Sequence, residues 1–243
     1  MGQRRLCRIL CRILCRILYI RNERWWFANH VRANRLEGPA VHPNPAFRGA
    51  AAETNLAFAA KRGFGLLSVN GAEGPLAAHV PFVFAKDGAV EMHLVRSNPI
   101  ARMEGPVPAL LAVQGPDAYI SPDWYGAADQ VPTWNYVAVH LRGMLQPLPF
   151  EALEPHLDAL SAEFEARLAP KRPWGKEKMS EGVMDRMMRG ILPFRLEVTS
   201  VDGTWKLNQN KTPEARDGAA AALEALGGLP AEIAALMRGA GGV

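Results

Sequence analysis

From residue 64 onward the apolar positions fall into short runs separated by Gly, Pro, Asn and Asp, which is the pattern of strands joined by turns. FGLLSVN (64–70), PLAAHVPFVFA (75–85), AVEMHLV (89–95), VPALLAVQG (107–115) and YVAVHLRGMLQPL (136–148) are the predicted strands. NGAEG (70–74) and KDG (86–88) supply turns between the first three. The period changes at 149. In PFEALEPHLDALSAEFEARL (149–168) Leu153, Leu157, Leu160, Phe164 and Leu168 share one helical face. A second helix is expected over 176–190. Strand character returns at ILPFRLEVTSVDG (191–203) and leads into TWKLNQN (204–210), and two helices follow. An Ala-rich helix over 46–62 precedes the strands, and a short helix is expected at 99–104. Many strands, then helices, then one more strand make an α+β fold with peripheral helices and a mostly antiparallel sheet that can close into a small barrel.

Alternation within two strands fixes their register. Val80, Phe82 and Phe84 share one face, as do Val90, Met92 and Leu94. Aligning those faces places residue 85 opposite 89 and leaves a three-residue loop, Lys86-Asp87-Gly88, with Gly where such a hairpin needs it. His79 and His93 then become diagonal neighbours on the less apolar face. They read either as two surface histidines or as one polar wall of a ligand site.

Charge divides the chain. Overall it carries 28 Lys+Arg against 24 Asp+Glu, but residues 1–40 hold nine and two of these and the rest holds 19 and 22. The positive excess lies in an extension that includes the repeat CRILCRILCRIL and all three cysteines. Residues 1–40 read as a low-complexity basic extension outside the fold, and residues 41–243 as one domain with a helical insertion at 149–190. Its body is mildly acidic, so direct DNA binding has no support from charge. The cysteine-free body fits a cytoplasmic setting and excludes disulfides, thiol catalysis and Cys-ligated zinc there. No apolar stretch reaches the length of a membrane span, and no metal site is expected.

Three segments carry candidate chemistry. RSNPIAR (96–102) has Asn98 as a helix cap, Pro99 at the first helical position, and Arg96 and Arg102 to either side. That is an arrangement for an anion, or an ordinary capped turn. Residues 117–135 read as a long loop rich in Tyr and Trp, suited to stacking on a flat ring or to a subunit interface. GTWKLNQN (203–210) places Trp205, Lys206, Asn208, Gln209 and Asn210 close together, as the end of a site or as a tight turn. No acid–base pair or nucleophile stands out.

Taken together, QGP-x-AYISP-x-WY, VPTWNYVAVH and WKLNQN resemble the PaiB-type FMN-binding negative transcriptional regulators, whose fold is related to the pyridoxamine 5′-phosphate oxidase split barrel. The resemblance covers roughly residues 41–226. AAHVPF (77–82) departs from the family's N-H-x-P-F, with Ala78 in place of Asn. The resemblance implies a homodimer with FMN between the subunits. It further implies Arg96, Ser97 and Asn98 at the phosphate and ribityl chain, and His79 and His93 lining the pocket. Trp134, Asn135 and Tyr136 would approach the flavin, with Lys206, Gln209 and Asn210 closing the site. Rival readings are a flavin-dependent oxidoreductase acting on a small substrate and, from the two histidines, a haem-binding variant of the barrel.

Overall fold

The computed structural model describes residues 42–239; the CRIL repeat and the proposed 1–40 extension lie outside them. The described elements are α1 (Ala52–Arg62), β1 (Phe64–Gly71), β2 (Gly74–Phe84), β3 (Val90–Val95), β4 (Val107–Ile120) and β5 (Thr133–Pro147). They continue with α2 (Leu153–Ala166), α3 (Val183–Met188), β6 (Ile191–Lys206), α4 (Pro213–Leu226) and α5 (Gly228–Gly239). The six strands close into a barrel in the order β1-β2-β3-β6-β5-β4, and every pairing is antiparallel. The expected α+β barrel is therefore observed.

The β2–β3 hairpin has the expected register. Phe82 faces Met92, Phe84 faces Val90, and the Ala85 N–H donates to the Ala89 carbonyl. Gly88 takes a φ of 84°, which only glycine adopts without strain. Inside the barrel Leu67, Val80, Phe82, Val90, Met92, Leu111, Val139, Leu141 and Leu196 form a closed core, and Leu56 and Ala59 of α1 join it. A second cluster lies beneath α4 and α5, where Ile120 and Val137 meet Ala219, Leu223, Ile233 and Met237.

Two bulges determine which side chains face where. β4 shifts register against β5 between Gln114 and Asp117. β6 shifts against β5 between Arg142 and Gly143, where Ser200 and Val198 are successive partners and Thr199 is skipped. Each extra residue reverses the inside–outside alternation beyond it. In β6, Phe194, Leu196 and Val198 point into the core before the bulge, and Val201 does so after it. At this crossing Gly143 has no room for a side chain, since a Cβ would lie 1.8 Å from the Glu197 carbonyl oxygen.

Several predicted elements change in extent. The expected loop over 117–135 is mostly sheet: β4 continues to Ile120 and β5 begins at Thr133, which leaves only 121–132 and a short 3-10 turn, Pro122–Tyr125. Here the bulge at Gln114–Asp117 masks the alternation. The helix expected at 99–104 is a four-residue 3-10 turn, Pro99–Arg102. The second helix of the insertion shrinks to α3, because Gly182 takes a left-handed φ of 71° and begins it late. The helix expected over 149–168 is a 3-10 turn at Phe150–Ala152 followed by α2. Among the described residues no helix is long and apolar enough to cross a membrane.

Candidate functional site

The outer face of β4 and β5 carries a groove of about 420 Å³ lined by Gln114, Asp117, Trp134, Tyr136, Ala138 and His140, among others. Parity places them there: even-numbered residues of β5 point outward while Val137, Val139 and Leu141 point inward. Trp134 is 54% exposed and stands edge-on to Tyr119 with ring centroids 6.1 Å apart. Tyr136 is half-buried, and burial pushes its phenol pKa up. His140 Nδ1 is buried without a hydrogen-bond partner. Burial holds the His140 pKa below its ordinary value; the Arg142 charge adds to this and Asp202, its cross-strand neighbour, opposes it.

The predicted site residues divide among different places. Asn135 lies on the opposite face of β5 from Trp134 and Tyr136, fully buried, with its Nδ2 donating to Met237 Sδ at 3.4 Å. Lys206 pairs across the ladder with Tyr136 and donates to Thr133 Oγ1 at 2.5 Å, so it borders the groove. Burial lowers its pKa. Gln209 shapes the turn after β6: its Oε1 accepts from the Leu207 N–H at 2.8 Å, and its Nε2 donates to the Trp205 carbonyl. Asn210 is exposed beside it.

His79 and His93 share the outer face of their sheet, as the register requires, but not one site. His79 is exposed and stacks on Phe64, with centroids 6.2 Å apart. His93 lies under α2, where its Nδ1 is 3.1 Å from Nε2 of buried His156. Asn98 caps its turn by accepting from the Ile100 N–H at 2.9 Å, so that donor is occupied. Arg96 Nε donates to the Arg189 carbonyl at 3.0 Å, while Ser97 and Arg102 are exposed. A four-residue turn has no helix dipole of consequence, so anion binding here rests on side chains rather than on a helix N-terminus.

These groups lie at opposite ends of β6 in one chain. Val95 pairs with Ile191 at one end of β6, and Tyr136 pairs with Lys206 at the other. The fifteen residue steps from Ile191 to Lys206 give a strand contour of about 50 Å.

Gln114, Asp117, His140 and His156 were missed in the sequence. His140 lies within the predicted strand 136–148, two steps of alternation from Tyr136 on the same face, and that parity would have found it. The bulge hides Gln114 and Asp117, and His156 occupies a position of its helix between the apolar residues that were counted.

The groove's chemistry suits a flat heteroaromatic ring: two aromatic side chains, an amide at Gln114 and an unpartnered imidazole nitrogen at His140. No Lys or Arg lines it. It fits the ring portion of FMN and leaves the phosphate to be neutralised by side chains outside the groove.

A family model described as "Putative FMN-binding domain" matches residues 41–200. Protease synthase and sporulation protein PAI 2 of Bacillus subtilis (strain 168) is 31% identical over 158 residues, which is 63% of this chain and 75% of that protein. Among solved structures, an FAD and heme binding protein from Mycobacterium smegmatis aligns with a TM-score of 0.48 at 16% identity, covering 66% of this chain and 73% of that one. An FAD binding protein from the same organism aligns with a TM-score of 0.39 at 13% identity, covering 65% and 97%. The family match spans the whole barrel up to the middle of β6 and the PAI 2 relative is similar over most of its length, so the chain belongs to the PaiB-type FMN-binding domain family, whose cofactor is FMN.

Proposed function

We propose that this protein is an FMN-binding homodimer in which each flavin lies between protomers. Its ring rests on the β4–β5 groove of one protomer, and its phosphate meets Arg96, Ser97, Asn98 and Arg102 of the other. The observation that carries this reading is the separation of the two half-sites at opposite ends of β6. FMN is much shorter than the contour of that strand, which favours placing its ring and its phosphate on different protomers. A second copy brings the complementary half.

Bound FMN would supply one- and two-electron redox chemistry. The chain would bind and orient it. Trp134 and Tyr136 present apolar ring surface, Gln114 and His140 offer hydrogen-bonding groups to a polar ring edge, and Lys206 adds a cation beside Tyr136. The exposed Trp134, Tyr119 and Val131 would be covered by the partner. A regulatory role, as in the name of the PaiB-type family, would run through the flavin or a protein partner. The terminal helices α4 and α5 hold four carboxylates against two arginines, the wrong sign for a DNA backbone. Salt-sensitive retention of residues 41–243 on DNA would count against that view.

The test is complementation. Trp134→Ala and the double variant Arg96→Ala/Arg102→Ala each lower FMN affinity in an absorbance titration. After subunit exchange in an equimolar mixture, about a quarter of the sites regain both wild-type halves, as random pairing of a two-fold dimer requires. A mixture with no recovered high-affinity FMN sites, although both variants sediment as dimers, would refute the shared site.

A further inference from the structure

We infer that the protein has a second binding pocket, for a small apolar carboxylate, on the side of the fold away from the β4–β5 groove. The pocket has a volume of about 580 Å³ and lies between the segment Ala46–Ala50, the end of β6 and the terminal helices α4 and α5. That is within the range of small-molecule sites. Its wall is mostly small or apolar: Gly49, Ala50, Leu207, Ala235 and Leu236, with Trp205 at its base.

Trp205 is held rigidly. Its indole Nε1 donates to Asn55 Oδ1 at 2.8 Å, and Phe58 packs edge-on at 5.3 Å. The Asn55 amide sits where a side chain on residue 203 would be, 2.0 Å from the position of a Cβ on Gly203. One wall of the pocket is thus pre-organised before any ligand arrives.

Arg216 gives the pocket its chemistry. It is the one charged residue among those lining it, and no Asp or Glu joins it there. Arg48, Arg167, Arg195 and Arg238 each lie within 4 Å of a carboxylate, whereas Arg216 forms no ion pair among the described residues. Its Nε is buried and makes no hydrogen bond. A buried guanidinium N–H beside apolar walls is costly unless an anion answers it, and its planar fork suits a carboxylate held by two parallel bonds. The apolar walls and Trp205 then suit a compact hydrocarbon or aromatic body on that carboxylate.

Benzoate is the probe, and benzamide is its neutral match in shape. The full chain is titrated with each by calorimetry at fixed ionic strength, both free of flavin and saturated with FMN. Benzoate is expected to bind once per chain, with benzamide roughly 10- to 100-fold weaker, as loss of a charge-assisted hydrogen bond implies. Arg216→Gln is expected to weaken benzoate by a similar factor and to erase its preference over benzamide; Arg216→Lys should retain part of that preference. Ala235→Trp, at the exposed rim, should block benzoate while leaving the fold intact, and it serves if Arg216→Gln fails to fold. Saturation with FMN should leave benzoate affinity unchanged. The inference is overturned if benzoate does not bind, if Arg216→Gln or Ala235→Trp binds it as well as wild type, or if FMN displaces it. Displacement would assign the anion to the flavin site, and that outcome is distinct from any failure of the shared-dimer reading.

Discussion

Acid should loosen α2 from the barrel through one buried side chain, His156. This histidine is 1% exposed and lies 3.1 Å from His93 across the α2–β3 contact. Burial first, and then the neighbouring His93, push its pKa down to about 4 from 6.5. Burial lowers that of His93 as well. A shared hydrogen bond needs one of the two facing nitrogens to accept, so double protonation would break it. The sign follows from the proton count. Between pH 6.5 and 4 the unfolded chain binds a proton at residue 156 that the folded chain does not, so stability falls as pH falls. The contribution is complete above pH 6.5 and is lost by about pH 4. The gap between those values amounts to about 3 kcal/mol. The ion pairs of the helix, Lys176 with Glu154 and Asp158, Arg167 with Glu163 and Lys171 with Glu165, remain in the variant. Urea unfolding followed by circular dichroism at pH values from 4.5 to 7.5 should therefore show a steeper acid loss in wild type than in His156→Leu. Parallel curves for the two proteins would refute the assignment.

Three further outcomes test other parts of the structure. Gly203→Val should cost about 1–3 kcal/mol of stability, read as a lower Tm in differential scanning calorimetry, since its Cβ would lie 2.0 Å from Asn55 Oδ1 and break the bond to Trp205. Trp134→Ala should weaken FMN binding roughly tenfold through lost ring contact and leave the unfolding midpoint nearly unchanged, as the side chain is largely exposed. A chain of residues 41–243 should match the full chain in FMN affinity and sedimentation, and a truncated chain that fails to fold would show that residues 1–40 contribute to the structure.

Much of the barrel was legible because its strands are half-buried and advertise an inner face. Val80, Phe82 and Phe84 against Val90, Met92 and Leu94 give both the hairpin and its register. The site was less legible, for two physical reasons. First, a bulge changes no residue type in a way that composition records, so Asp117 and Trp134 looked like parts of an irregular loop, cut off from Gln114, Tyr136, Ala138 and His140 on the same outer face. Second, proximity in sequence does not survive strand parity. Trp134, Asn135 and Tyr136 read as one group, yet Asn135 belongs to the helix-covered cluster. Lys206 and Gln209 likewise part, one toward Tyr136 and the other into its own turn. Distance along a long strand is similarly hidden: nothing in RSNPIAR announces that it ends up at the far end of β6 from TWNY.

Thr199, the residue that β5 skips, is the one slack position in β6. Removing it would let Ser200 follow Val198 directly, with Val198 still opposite Gly143 and Ser200 still opposite Arg142. Phe194 and Leu196 would stay in the core, and Trp205 and Lys206 would keep their faces, so both pockets would keep their chemistry. A residue added between Val201 and Trp205, with no bulge to hold it, would instead turn over the strand beyond it, bringing Trp205 outward beside Tyr136 and Lys206 inward. This strand therefore has one residue to spare at its bulge and none between the bulge and the two pockets.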